Sequence, residues 1–374
     1  MSGHLTSALI KGRARSLGFD LCGITPAAAF PELRNLDAWL ARGYAGEMDY
    51  MEKSAHVRAD IRHFLPSARS VVVMGTVYNT QQASGPRPQD SGSISQASGL
   101  RLQVSDPIRV ARYARGLDYH KVIEDRLFEL IDWMKATAGE PFDAAHFVDK
   151  HQVQERVFAH HAGVGWIGKN SCVIHPELGS WMFLSGIAVS LELEPDAPAV
   201  DQCGACTLCI DACPTGALVD ARELDATKCI SYLTIETERE IPADRRAVIG
   251  NHAWGCDICQ DVCPWNLGAA VSRDPAWSGP ERDGLSASWL WQQSDDDLHA
   301  RIKGSAMTYV PLSRLRRNLA TIIGNSGDPA AVAALDRPGR GQKNSARSAE
   351  TPAVTEAIQW ARPRMDGKDG SNAD

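Results

Sequence analysis

The sequence predicts a mixed α/β domain over residues 1–195, a cysteine-rich module over 196–272 and a short α-helical unit over 273–336. Three observations predict it. Helical and strand periodicities alternate through the first 195 residues. Eight of the ten cysteines fall between 203 and 263. The stretch from Leu312 to about Leu335 reads as two short helices joined by a Gly-Asn-Ser-Gly-Asp-Pro turn, one HEAT-like helical-repeat unit that must bury its apolar face on the rest of the chain. With 374 residues and 44% hydrophobic content, the chain suffices for one sizeable core and one or two smaller units. The polar, Gly- and Pro-containing stretch 337–374 is expected to be a disordered tail.

In chain order, residues 1–79 read as helix, loop, helix and then a strand at Ser70–Tyr78, whose continuous β-branched run predicts burial on both faces. From Asn79 to about Pro107 the composition turns to Gln, Ser, Gly, Asp and Pro, which predicts a mobile loop or lid. Val122, Ile123, Leu127, Phe128, Leu130, Ile131 and Met134 recur at helical spacing and predict an amphipathic helix over His120–Ala138. A short strand, Ala144–Val148, then ends at Asp149. A helix over about Gln152–Ala162 leads into AGVGWIGKNS, and the apolar Trp181–Leu193 reads as one or two further strands.

The formal charge of −7 argues against a protein that coats nucleic acid indiscriminately, but leaves a specific RNA open. The first twenty residues contain no apolar run of signal-peptide length, and no segment approaches the roughly 18 apolar residues of a membrane span. A cytoplasmic protein without membrane contact is expected.

Cysteine spacing carries the chemistry. Cys203, Cys206, Cys209 and Cys213-Pro214 follow the x2, x2, x3 spacing of bacterial ferredoxins, in which the fourth cysteine serves a second cluster. Downstream lie Cys229 and then Cys256, Cys259 and Cys263-Pro264. Three thiolates at x2 spacing wrap one cube, whereas the x3 step carries the chain away from it. The spacing therefore assigns one 4Fe-4S cluster to Cys203, Cys206, Cys209 and Cys263, and another to Cys213, Cys229, Cys256 and Cys259. A zinc ribbon needs only four ligands and has no use for two Cys-Pro endings. Cys22 and Cys172 stand apart in apolar surroundings and are expected to act as small hydrophobes.

Two such clusters pass electrons one at a time, and the α/β domain is where they would be delivered. Gly163-Val-Gly165-Trp-Ile-Gly168 satisfies GxGxxG and nearly a Walker pattern, but it follows a helix, lacks the distal acid, and has Asn170 where Ser or Thr is required. Dinucleotide and ATP binding are therefore set aside, and the glycines are expected to let backbone approach a large ligand or a cluster.

Five strings make the sequence more specific: ARYARGLDYH from Ala111, GVGWIGKN from Gly163, CISYLTIE from Cys229, GCDICQDVCPWN from Gly255 and RLRRN from Arg314. With Val148-Asp149 and the Gly324–Pro329 turn, they resemble the epoxyqueuosine reductase family over about residues 5–335. The resemblance implies a cobalamin-binding domain with a nitroreductase-like fold fused to a ferredoxin-like dicluster module. It also implies removal of the epoxide oxygen of epoxyqueuosine at the wobble position of tRNA, consuming two electrons and two protons and releasing water. The implied partners are a tRNA, bound through its anticodon stem-loop, and an electron donor the sequence does not identify; a monomer is expected.

The resemblance makes Asp149 the proton donor, a role burial would favour by raising its pKa; on residue pattern alone it would be a helix cap. Arg58, Tyr113, Asp149, Ser231, Tyr232 and Asp257 are candidates for the cobalamin site. His120, at an Asp-Tyr-His helix start, reads as structural rather than as a cobalt ligand. Lys169, Arg314, Arg316 and Arg317 are candidates for tRNA phosphates, although a solvated helix face explains the arginines almost as well. A reductive dehalogenase-like enzyme would share these cofactors but leave the basic repeat without purpose, and a dicluster electron carrier would leave the α/β domain unexplained.

Overall fold

The computed structural model describes residues 5–80, 106–337, 339 and 348–363. The loop expected over 79–107 lies largely outside the described residues. The chain forms two compact units, one comprising Met1–Asn79, Asp118–Cys229 and Asp257–Trp277, the other Thr80–Leu117, Ile230–Cys256 and Ser278–Asp374. Among the described residues, no helix is long and apolar enough to cross a membrane.

The first unit is built on a four-stranded antiparallel sheet in the order Leu21–Pro26, Ser70–Val77, Met182–Val189, Ala144–Phe147. Ser70–Val77 is central and buried throughout, as its unbroken apolar run predicts. The Leu21–Pro26 strand falls where periodicity shows only a loop, because Cys22 and Gly23 interrupt the apolar pattern. Trp181–Leu193 yields one strand. Val71, Val73 and Ala188 pack in one cluster with Val157, Phe158 and Ala159 of the helix Glu155–His161. Alternation along the strands turns Val72, Met74 and Ile187 to the opposite face, where the helix Tyr119–Ala138 lies along the sheet and buries Ile123, Leu127, Leu130, Ile131 and Met134.

Gly186 matters to the end of this sheet. It pairs with Phe147, and a Cβ at Gly186 would overlap the Phe147 ring. The missing side chain thus lets the ring lie flat across the central strand, two residues before Asp149.

The cysteine module of the first unit repeats one local design. Ile210 and Asp211 amides donate to the Thr207 carbonyl at 2.9 and 3.0 Å, and Cys213 to Ile210 at 3.2 Å. Fifty residues on (257 − 207), Gln260 and Asp261 amides donate to Asp257 at 2.9 and 2.8 Å, and Cys263 to Gln260 at 3.2 Å. The two short helices, Leu208–Asp211 and Ile258–Asp261, pack on each other.

The second unit centres on the helix Leu312–Asn325, in which every residue from Leu315 to Gly324 is buried. Such a helix is surrounded on all sides: Ala287–Trp291 packs against it, as does Pro352–Ala361 through Val354, Ala357 and Ala361. The latter falls within the stretch whose composition reads as a disordered tail. Val354, Ala357, Ile358 and Ala361 recur at helical spacing, a local signal that the polar composition of the whole stretch conceals, and they order because the unit's main helix has a face to cover. The turn at 324–329 joins this helix to a short second one, Pro329–Ala333, as the sequence predicts.

Candidate functional site

Asp149 follows the Ala144–Phe147 strand and stands in left-handed backbone at φ 48°, which a non-glycine residue adopts only when its surroundings hold it there. Three groups do so. The Tyr119 hydroxyl donates to Asp149 Oδ2 at 2.5 Å, His120 Nε2 lies 3.0 Å from the same oxygen, and the Asp149 amide donates to Glu155 Oε1 at 2.5 Å. His120 Nδ1 lies 2.8 Å from Asp118 Oδ1. Asp118 also caps the helix that carries Tyr119 and His120, accepting the His120 amide. The Tyr119 ring stacks on Phe183 at 4.3 Å.

The imidazole is thus clamped between two carboxylates. Desolvation would lower its pKa, but Asp118 and Asp149 overcome this and raise it to about 9, so His120 is an imidazolium at neutral pH. Asp149 moves the other way. Desolvation would raise its carboxyl, yet hydrogen bonds from His120 and Tyr119 prevail and hold it below the ordinary carboxylate range. This corrects the expectation that burial raises its pKa: the side chain remains 59% exposed and is doubly hydrogen-bonded. Burial, then the Asp149 charge, push the Glu155 carboxyl up to about 8. Pairs of groups whose environments push their pKa values apart mark acid–base assignments, and here an ionised Asp149 stands between two groups that retain protons at neutral pH. His120 and Glu155 are therefore the residues that reasoning from sequence passed over. The Asp-Tyr-His helix start was the signal for the first; only the fold brings Glu155 back to the Asp149 amide.

Arg58 belongs to the same unit. Its Nε donates to Ser54 Oγ at 2.8 Å and one terminal nitrogen to the Val153 carbonyl at 3.3 Å, and it senses the charges of Glu155 and Asp149. Asp257, also in this unit, starts the Ile258–Asp261 helix. The other cobalamin candidates lie in the second unit. There the Tyr113 hydroxyl accepts from Trp254 Nε1 at 3.0 Å, Tyr232 is buried, and the Ser231 carbonyl accepts from Thr234.

Around the cysteines, the GVGWIGKN string acts as a cradle. Lys169 Nζ donates to the carbonyls of Gly204 and Cys206 at 2.8 and 2.9 Å, the Asn170 amide to the Cys259 carbonyl at 3.4 Å, and Trp166 Nε1 to Cys203 Sγ at 3.4 Å. Asp201 accepts from the Cys203 amide at 2.9 Å and is itself held by Arg222. The glycines allow close backbone packing: a Cβ at Gly165 would overlap the Ile174 carbonyl, and one at Gly163 would crowd that of Ala197 at 2.7 Å. They let backbone approach backbone rather than a ligand. Burial first, and then the charges of Cys203, Cys172 and Cys206, push the Cys263 thiol up; burial first, and then the charges of Cys263 and Cys203, push up that of Cys209. Four thiols gathered at mutual electrostatic cost are a donor set that fits an iron–sulfur cube, whose positive irons relieve the repulsion. Cys172 differs from expectation, because its thiol hydrogen-bonds that of Cys259. Cys22 is half-buried, and desolvation pushes its thiol up to about 12.

The four basic candidates for tRNA are engaged within the protein. Lys169 holds the Cys203–Cys206 loop, as above. Arg316 and Arg317 are 0% and 1% exposed, Arg316 bound to Asp295 and the carbonyls of Trp291 and Gln293, Arg317 to the carbonyls of Leu233, Thr237 and Arg239. Arg314 reaches the Ile235 carbonyl and Glu238. The guanidiniums satisfy helix-end and loop carbonyls that would otherwise be left unpaired, and Arg316 and Arg317 are buried away from any phosphate.

A gathered set of cysteine thiols and a hydrogen-bonded acid–base site within one unit are the features of an iron–sulfur oxidoreductase. Comparison with known proteins agrees: residues 202–266 match the 4Fe-4S double cluster binding domain, and residues 58–150 match the model described as epoxyqueuosine reductase QueG, DUF1730. An epoxyqueuosine reductase of Gloeobacter violaceus is 41% identical over 88% of this chain and 99% of its own, and one of Xanthomonas campestris is 36% identical over 95% of each. Among solved structures, an epoxyqueuosine reductase with an epoxyqueuosine-modified tRNA-Tyr stem loop superposes with a TM-score of 0.83 at 28% identity, covering 96% of this chain and 89% of that one. The Bacillus subtilis epoxyqueuosine reductase, with its catalytic loop swung out of the active site, gives 0.79 at 27% identity, covering 96% and 90%. The chain belongs to the epoxyqueuosine reductase family.

Proposed function

We propose that this protein reduces epoxyqueuosine to queuosine at the wobble position of tRNA, and that Asp149 is the residue through which protons reach the substrate. The observation that carries the site assignment is the convergence of Tyr119 and His120 on one carboxylate oxygen of a residue held in left-handed backbone. The reaction removes one oxygen: two C–O bonds break, a carbon–carbon double bond forms, and the oxygen leaves as water with two electrons and two protons. When bound, two 4Fe-4S clusters would supply a one-electron relay and cobalamin would supply the metal-centred reducing chemistry.

The chain's own residues supply the protons. Asp149 is ionised at rest, so it accepts a proton from the His120 imidazolium at 3.0 Å and passes it to the developing alkoxide. Tyr119 fixes the carboxylate orientation, and Asp118 holds the imidazole in line from its other nitrogen. Glu155, a neutral acid on the Asp149 amide, is the second proton store. Arg58, pinned by Ser54 and Val153, fits a role in orienting a corrin amide or carboxylate near this acid; Tyr113, Ser231, Tyr232 and Asp257 remain candidates for the same ligand. The cysteine sets read from the spacing are the proposed cluster ligands. The proposed substrate-bearing segment is the anticodon stem-loop, the proposed setting the cytoplasm, and the proposed working form a monomer. The finer fold reading, nitroreductase-like for the sheet and HEAT-like for the helical unit, rests on the antiparallel sheet flanked by helices and on the paired helices at Leu312–Asn325 and Pro329–Ala333.

The test is anaerobic reconstitution with iron, sulfide and cobalamin, followed by mass analysis of nucleosides from epoxyqueuosine-containing tRNA and a strong reductant. Loss of one oxygen that depends on cobalamin and disappears in Asp149→Ala supports the reading. An unchanged nucleoside with about eight irons and no bound cobalamin refutes it in favour of an electron carrier.

A further inference from the structure

We propose that Trp166 sets the reduction potential of the cluster to which Cys203 contributes, by donating its indole N–H to the Cys203 sulfur inside an apolar shell. The proposal rests on the assignment of Cys203 as a cluster ligand. An indole N–H is a donor with no acceptor function, and a buried one needs a partner. Trp166 is 1% exposed, and its partner is Cys203 Sγ at 3.4 Å, within the range of a hydrogen bond to sulfur.

The ring is fixed from several sides. Trp166 pairs with Ile174 across the hairpin of Trp166–Ile167 and Val173–Ile174, a hairpin that closes because Gly165 has no side chain. Trp265, two residues after Cys263, meets the indole edge-on at 5.0 Å and 80°. Trp166, Ile174 and Cys263 form one buried cluster, with Ala199, Cys203 and Trp265 packed on it. Two sulfurs assigned to the same cube, from Cys203 and Cys263, thus share an apolar shell in which Cys263 is buried and Cys203 partly so.

These features act in opposite directions on an added electron. An apolar shell disfavours the extra negative charge of the reduced cluster and lowers its potential. A hydrogen bond to the thiolate sulfur strengthens as charge builds up there, and raises it. Trp166 adds a side-chain donor from within the shell to the backbone amides that reach Cys263 and Cys209, so its N–H offsets part of the shell's effect and helps keep this cluster reducible. Without it, the cluster would resist reduction more strongly and pass fewer electrons at a given donor potential.

The experiment is a redox titration of the reconstituted holoprotein followed by EPR, comparing wild type with Trp166→Phe, which keeps an aromatic ring and removes the donor. One of the two midpoint potentials is expected to fall so that, at the poise where the wild-type cluster is half reduced, the oxidised-to-reduced ratio rises about tenfold, equivalent to 59 mV for one electron. The other cluster stays put. Two unchanged midpoints with full iron content overturn the proposal. Should the variant lose iron, pulsed EPR of the reduced wild type after exchange into D₂O, with and without ¹⁵N-indole tryptophan, decides instead: an exchangeable proton and an indole nitrogen coupled to the cluster support the proposal, and their absence overturns it. Cys203→Ser separates the underlying reading, because a variant that retains both clusters unaltered removes Cys203 from the ligand set, and Trp166 with it.

Discussion

Replacing His120 with Gln removes the cation at Asp149 while keeping a side chain of similar reach. In the wild type, His120 lies 3.0 Å from Asp149 and 2.8 Å from Asp118, and its pKa rises from 6.5 to about 9. The folded-state pKa is raised, so the interaction contributes stability that is fully present below 6.5 and is lost as pH climbs through about 9. Both carboxylates are depressed, so their share is present above the ordinary value of 3.8 and fades as they protonate in acid. Taken at face value the histidine shift is worth about 3 kcal/mol. Asp118 and Asp149 are 36% and 59% exposed, however, and solvent screening reduces this to about 1–2 kcal/mol. His120→Gln should therefore lower the unfolding free energy by that amount near neutral pH and by little near pH 9, as measured by denaturant titrations across the range. The catalytic effect is larger. Loss of a positioned proton donor costs about 10²–10⁴-fold; the alkaline limb of the pH–rate profile begins at the Glu155 value of about 8 in both proteins, but its further steepening through the His120 value of about 9 disappears in the variant. Single-turnover rates that match wild type, with the limb still steepening above about pH 9, would refute the proton assignment.

Glu155→Gln keeps an oxygen for the Asp149 amide and abolishes the ionisation. Because the Glu155 pKa is raised from 4.5 to about 8, the wild type loses stability as pH rises between those values, so the variant's advantage in melting temperature should grow across that interval and level off beyond it, while turnover falls. Gly186→Ala drives a methyl into the Phe147 ring; overpacking of this kind costs about 1–3 kcal/mol, and circular-dichroism melts should show it together with reduced turnover from the displaced Asp149. Truncation after residue 350 strips Val354, Ala357 and Ala361 from the Leu312–Asn325 helix. At about 25 cal/mol per Å² of apolar surface this costs several kcal/mol, and a truncated protein that melts with the full chain would show that the segment is dispensable.

The electron-carrying half of this protein is legible in its sequence because iron–sulfur ligation depends on local spacing. Two or three intervening residues decide which thiolates can reach one cube, and the repeated Thr207 and Asp257 turns are built from contacts within seven positions. The buried Ser70–Val77 strand and the Tyr119–Ala138 helix are equally local in origin, since each period is written in consecutive residues. What the tertiary structure alone decided are properties that depend on which distant groups end up adjacent. Asp149 is marked by a strand end, but whether it holds or lacks its proton is settled by Tyr119 and His120, 30 and 29 positions away. Arg316 and Arg317 have the look of a basic surface, and become internal because carbonyls 23 to 84 positions distant need donors. Lys169 and Trp166 sit in a glycine-rich string that suggests a nucleotide, and turn instead to the loop at Cys203 through bonds spanning 35 to 37 positions. Charge, protonation and exposure are set by the sum of an atom's neighbours, and for these side chains the decisive neighbours are brought together only by folding.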